Sequence, residues 1–239
     1  MMRTANPALN AKTFDVAREG TRVMTIQGTV SRTAMLLALL FAATMLSWNP
    51  AEPQTQWILI GAIAGFVVAL ITIFNKKAAP FTAPLYAVCE GVFLGAISSM
   101  FERMYPGIVF QAILLTFGTL GALLLAYTSR LIKPTENLKL GIAAATGGIA
   151  LFYLVSMIMG FFGSGFSVIN SRGPVGIIFS GIVVVIAALN LVLDFDFIEQ
   201  GVERGAPKYM EWYAAFGLVV TLVWLYLEIL RLLSKLNKR

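Results

Sequence analysis

Apolar residues in this chain gather into long blocks, separated by short segments rich in turn formers and charge. The blocks are Ala34 to Trp48, Trp57 to Phe74, Pro84 to Met100, Ile108 to Thr128, Leu140 to Phe162, Val175 to Leu193 and Trp212 to Leu233. An α-helix needs about 20 apolar residues to cross the hydrocarbon layer, since each residue rises about 1.5 Å and every backbone polar group must bond within the segment. The pattern therefore predicts an all-α integral membrane protein of about seven transmembrane helices. Between the blocks lie segments such as "NPAEPQTQ", "NKKAAPFT", "FERMYPG" and "SRLIKPTENLK". These are turns and not domains. The predicted organisation is a polar, basic arm over residues 1–33 followed by one transmembrane bundle over 34–239. No stretch of the chain repeats another at a fixed period, and neither half resembles the other, which argues against an inverted-repeat transporter.

Composition agrees with that solvent assignment. Hydrophobic residues make up 58% of the chain, charged residues 13%, and the mean hydropathy is +0.81; a soluble domain carries roughly 25% charged residues. The net charge of +6 comes from cations at block ends and in the arm, where Lys12, Arg18, Arg22 and Arg32 lie. No basic stripe interleaved with aromatics is present, so no nucleic-acid partner is expected. The arm lacks the short apolar core and small-residue site of a cleaved signal. With the amino terminus in the cytoplasm, Lys76, Lys77, Arg130, Lys133 and Lys139 fall in cytoplasmic loops, as the positive-inside rule requires. Seven full crossings would then place Arg231, Lys235, Lys238 and Arg239 on the far side. Either the early helices dominate the topology or the last segment does not cross fully.

The chemistry available is narrow. The chain has no histidine and one cysteine, Cys89, so a Ser-His-Asp triad, a Cys-His pair, an HExxH zinc site and an intrachain disulfide are all excluded. No phosphate-cradling GxxxxGK[ST] segment occurs. No enzymatic activity and no resident cofactor are expected, and any proton switch must use carboxylates.

Ionisable residues at membrane depth are expensive and therefore mark function. Glu90 lies six residues beyond Pro84, about 9 Å into the layer if that span starts at the cytoplasm. Gly91 and Gly95 beside it form a GxxxG pair, as do Gly61 and Gly65 in the second span; both pairs are expected to be packing notches. Asp194 and Asp196 close the sixth apolar block and so should share a depth with Glu90 near the cytoplasmic boundary. Two residues apart on a helix, they point about 200° from each other. Asn190 shares the face of Asp194, which favours Asp194 as the inward carboxylate. Two acids at a helix carboxyl end also oppose the macrodipole. Glu228 and Arg231 stand three apart in the last span, a spacing that predicts an intrahelical ion pair near the membrane edge.

Three stretches carry a resemblance: "CEGVFLGAIS" in the third span, "LNLVLDFDFIEQG" at the end of the sixth and "YLEILRLL" in the last. Together with the seven spans they resemble the Bax inhibitor-1 family, also called the transmembrane Bax inhibitor motif or YccA-like family, in its bacterial branch. The resemblance covers roughly Arg32 to the carboxyl end. It implies a bundle wrapped around the last helix, acting as a pH-sensitive calcium leak of the bacterial inner membrane. It also implies a latch in which an aspartate ending the sixth helix meets an aspartate in the last. Asp194 matches the first position, Thr221 stands at the second, and Arg231 matches the family's arginine. Glu90, Asp196 or Glu228 are then the carboxylates available to replace the missing partner. Asp194 and Glu90 are the candidate oxygen ligands for a passing calcium ion, since hard cations take oxygen donors.

Three classes of function follow. One is a proton-gated cation leak. A second is a non-conducting regulator that restrains a membrane-bound AAA protease, as some bacterial relatives do, through the arm. The third, an intramembrane aspartyl protease, needs two aspartates on facing helices, and no aspartate besides Asp194 and Asp196 lies in or at the end of a span.

Overall fold

Each of the seven apolar blocks coincides with one helix in the computed structural model, which describes residues 23–161 and 173–237. The helices are α1 (Ile26–Ser47), α2 (Gln56–Phe74), α3 (Ala79–Met104, after a 3₁₀ turn at Lys76–Ala78), α4 (Ile108–Thr128), α5 (Glu136–Phe161), α6 (Pro174–Glu203) and α7 (Met210–Leu236). All seven are long and apolar enough to cross a membrane. Most of the basic arm, residues 1–22, lies outside the described residues, as do Lys238 and Arg239.

Several helices outrun their apolar blocks. α1 begins eight residues before Ala34 because Thr25 caps it, its hydroxyl accepting from the Gly28 amide at 3.0 Å; a capped first turn no longer needs an apolar block to start it. α3 starts at Ala79 with proline in its first turn, where a missing amide costs nothing. α6 does not end at Leu193. It continues for ten more residues through a ladder at four-residue spacing: Gln200 donates to Asp196 at 2.5 Å and Arg204 donates to Gln200 at 2.8 Å. The left-handed Gly205, φ +64°, closes it. Asp194 and Asp196 therefore sit inside a helix, and the macrodipole argument against them falls away.

α7 is the centre of the bundle. It packs against α1, α3, α4 and α6, and Ala215, Val219, Leu225 and Leu230 on it are almost wholly buried. α5 is the opposite case, packing chiefly on α6 with most of its surface bare. α1 and α3 approach closely at Gly91 and Gly95. A Cβ on Gly91 would run into the Leu40 carbonyl oxygen, and one on Gly95 would run into Ser47 Oγ. Gly61 is nearly as tight against Phe93 of α3, where a Cβ would stand 2.8 Å from the amide nitrogen. These glycines let backbones approach where lipid offers no hydrophobic drive.

Contacts at the helix ends define two faces. On the near face, where α1 starts, the Met24 amide donates to the Ala206 carbonyl at 2.7 Å, and Lys76 lies over the Tyr213 ring at 5.4 Å. On the far face, the Asn49 amide donates to Ser99 Oγ at 2.8 Å. α7 runs antiparallel to α6 along its length, and Lys235 Nζ reaches Gly176 O at 3.0 Å and Ser180 Oγ at 2.8 Å. The last helix thus runs the length of the bundle, from the near face to the far face. Lys235 is 4% exposed and Arg231 is paired with Glu228, so neither behaves as a free loop charge. Lys76, Lys77, Arg130, Lys133, Lys139, Arg204 and Lys208 belong to the turns and helix ends of the near face.

Candidate functional site

The depth of the two candidate carboxylates follows from their helices. Glu90 lies eleven residues into α3 and Asp194 nine residues from the near end of α6; at 1.5 Å per residue these are about 17 Å and about 14 Å from the near face. The two carboxylates thus stand at similar distances from the near ends of their helices. Both helices extend past their apolar blocks at that end, α3 starting five residues before Pro84 and α6 running on past Asp194.

Asp194 faces α7. The Thr221 hydroxyl is the side-chain polar neighbour of its carboxyl; its own hydrogen goes to the Gly217 carbonyl at 3.2 Å. Asp194 Oδ2 is buried and accepts from no group among the described residues. Such an oxygen is a strong acceptor held in a medium that does not solvate it. One turn away, Asn190 Nδ2 donates to Thr146 Oγ1 on α5 at 2.8 Å and to the Ile186 carbonyl.

Asp196 points elsewhere, as two positions along a helix, a turn of about 200°, require. It pairs with Lys139 of α5 at 2.8 Å and lines a cleft of about 880 Å³ between α1, α4 and α6, with Arg130, Lys133 and Glu203 at the rim. Tyr127 donates to Glu199 in the same cleft.

Glu90 belongs to a different interface. Its side-chain partner is Tyr86, one turn back, whose ring meets Phe216 of α7 edge-on at 4.9 Å. Its carboxyl fills the notch left by Gly65 of α2, where a Cβ would lie 2.6 Å from Glu90 Oε1. Glu90 and Asp194 therefore have different neighbours. Among the described residues, no three acidic or thiol side chains cluster closely enough to hold a metal ion.

Glu228 and Arg231 form the expected pair. Arg231 Nη1 donates to both oxygens of Glu228, at 2.9 and 3.0 Å. Glu228 is buried, however, and Tyr153 of α5 closes the pair into a triad: its hydroxyl donates to Glu228 Oε1 at 3.0 Å and accepts from Arg231 at 2.8 Å. A buried ion pair persists only with such extra hydrogen bonds.

Two buried charges escaped the sequence reading. Lys235 stood just beyond the last apolar block, in the run of cations whose side of the membrane the sequence left open. Glu211 stood in a segment that read as a loop, yet it is fully buried in the first turn of α7. Its Oε1 accepts from the Thr25 amide at 3.0 Å, the Thr25 hydroxyl at 2.9 Å and Lys208 Nζ at 2.6 Å. It thus holds the start of α1 from 186 residues away in the chain. No local pattern encodes such a partner.

The profile of the Bax inhibitor 1 like family matches residues 6–238. No curated protein matches the chain.

Proposed function

The chain belongs to the Bax inhibitor 1 like family, and on that premise we propose that it is a pH-sensitive cation leak, calcium being the cargo and Asp194 the gating carboxylate. The observation that carries this reading is the position of Asp194: at the α6–α7 interface beside Thr221, with one buried oxygen that no described group satisfies. A hard cation passing that point would find a carboxylate, the Thr221 hydroxyl and backbone carbonyls, all oxygen donors. A proton and a cation compete for the same carboxylate, so flux falls as acid protonates Asp194 and rises as it ionises. Thr221 changes the gate relative to a two-aspartate latch. A hydroxyl is a polar neighbour but brings no second charge, so the pair titrates as one group and not as a coupled dyad. The cations gathered on the near face support a cytoplasmic amino terminus in a bacterial inner membrane.

The test is calcium entry into sealed liposomes holding the purified protein, followed with an enclosed dye from acidic to neutral pH. The expected result is flux above protein-free vesicles that increases with pH. Flux equal to that of empty vesicles at every pH would remove the leak reading.

One observation favours the regulator reading as a second. The chain joins the bundle at Val23, bridged to Pro207, with Thr25 bound to the buried Glu211. The arm is thereby tethered to the near-face turn between α6 and α7, a fixed base for contact with a membrane-bound protease. Co-purification of such a protease with the full chain, lost when residues 1–22 are removed, is the expected result of that reading.

A further inference from the structure

Three residues of α5 point at the bundle at seven-residue spacing: Lys139, Thr146 and Tyr153. Seven residues turn an α-helix by about −20° from the starting direction, so the three form a single stripe. Each makes a polar contact with α6 or α7. Lys139 pairs with Asp196 at 2.8 Å, Thr146 accepts from Asn190 at 2.8 Å, and Tyr153 bonds Glu228 and Arg231 at 3.0 and 2.8 Å. Asp194 with Thr221 lies between the first and last of these levels, and Lys235 with Ser180 and Gly176 continues the line to the far face. On α6 the line extends from Asp196 to Gly176, twenty residues, or about 30 Å, which is the thickness of the hydrocarbon core.

The apolar packing along the stripe is thin. Of the described side chains of α5, only Ile142 is buried, and Cβ atoms built on Gly141, Gly147, Gly148 and Gly160 would meet nothing within 4 Å. Phe152 and Tyr153 both meet the Phe179 ring, with centroids 5.2 and 6.4 Å apart. A helix held by polar contacts spaced two turns apart, with little interlocked core, separates from its neighbours by breaking a few hydrogen bonds that water can replace.

We propose that the seam between α5 and the α6–α7 pair is the polar route through the bundle, and that α5 is the wall that moves to open it, with Tyr153 as its far-side clasp. Displacing α5 exposes Asn190, Asp194, Thr221 and Glu228 to one water-filled groove while the α1–α3–α7 core stays packed. The assignment builds on the leak reading of Asp194, but its first test reads water access, which does not depend on flux.

In a Cys89→Ser background, single cysteines would be placed at Thr146, on the stripe, and at Ala144, at a similar depth on the exposed face of α5. Both would be reacted in sealed proteoliposomes with a membrane-impermeant, charged methanethiosulfonate, which modifies only hydrated thiolate. Thr146→Cys is expected to react at least about tenfold faster than Ala144→Cys, since thiolate forms only where water reaches. Adding Tyr153→Phe should accelerate it further by releasing the clasp. A smaller difference in both backgrounds overturns the route. Reaction at Thr146→Cys without calcium flux would leave the seam standing and refute the leak. Flux with an unreactive Thr146→Cys would place the path elsewhere and refute the seam. As an independent arm that avoids Tyr153, oxidising a Thr146→Cys/Asn190→Cys pair should stop flux and reduction should restore it; flux indifferent to the bridge counts against the moving wall.

Discussion

Asp194 on α6 and Thr221 on α7 meet where the two helices pack, whereas Asp196, two residues further along the same helix, pairs with Lys139 on α5. The two acids thus occupy separate environments. Asp194→Asn should abolish the pH dependence of calcium flux, because asparagine keeps the shape and removes the titrating charge. Asp196→Asn should leave the pH midpoint where it is. Thr221→Asp places two carboxyls side by side and should split the single transition into two steps. Proteoliposome flux against pH measures all three; equal responses of the two asparagine variants would show that Asp194 is not the gate.

Glu90 and Gly65 occupy one another's space. Gly65→Ala should destabilise the protein by about 1–3 kcal/mol through overpacking of a close helix contact. Adding Glu90→Ala should relieve most of that loss, giving a favourable coupling in a double-mutant cycle. Thermal unfolding in detergent reads both. Glu90→Gln alone keeps the volume and should preserve the fold, so any flattening of the pH profile in that variant reports the charge and not a collapsed helix pair.

The triad of Glu228, Arg231 and Tyr153 predicts unequal costs. Arg231→Met leaves a buried carboxylate without its cation and should cost about 3–5 kcal/mol. Tyr153→Phe removes hydrogen bonds but leaves the ion pair, and should cost about 1–2 kcal/mol. Glu228→Gln with Arg231→Met should be less damaging than Arg231→Met alone, since no uncompensated charge remains. Denaturant unfolding of the three variants orders them.

Glu211 and Gly28 test the anchoring of α1. A Cβ on residue 28 would overlap Glu211 Oε1, so Gly28→Ala must displace the carboxylate that binds Thr25 and Lys208. The expected loss is about 1–3 kcal/mol, similar to removing a helix cap and a buried charge-assisted hydrogen bond together. Glu211→Ala in the Gly28→Ala background should add little further loss. Thermal unfolding of the single and double variants measures this, and fully additive costs would mean that the two residues do not act on the same contact.

Helix number, helix type and the membrane itself follow from composition and block length alone, because a bilayer admits few spanning structures and requires about 20 apolar residues for a helix. The pairing of Glu228 with Arg231 and the opposed directions of Asp194 and Asp196 were equally legible, since both depend only on helical periodicity. So was the resemblance of "LNLVLDFDFIEQG" to its family. The end of α6 was not: the helix passes through its aspartates on the Asp196–Gln200–Arg204 ladder and on Lys139 from another helix, and hydropathy sees only where apolar residues stop. The burial of Glu211 and Lys235 was hidden for the same reason. Glu211 finds Thr25 at one end of the bundle, 186 residues away in the chain. Lys235 finds Gly176 and Ser180 at the other end, on a different helix. A charge becomes tolerable inside a membrane only when such distant donors and acceptors are brought to it, and that is decided by how seven helices pack around α7.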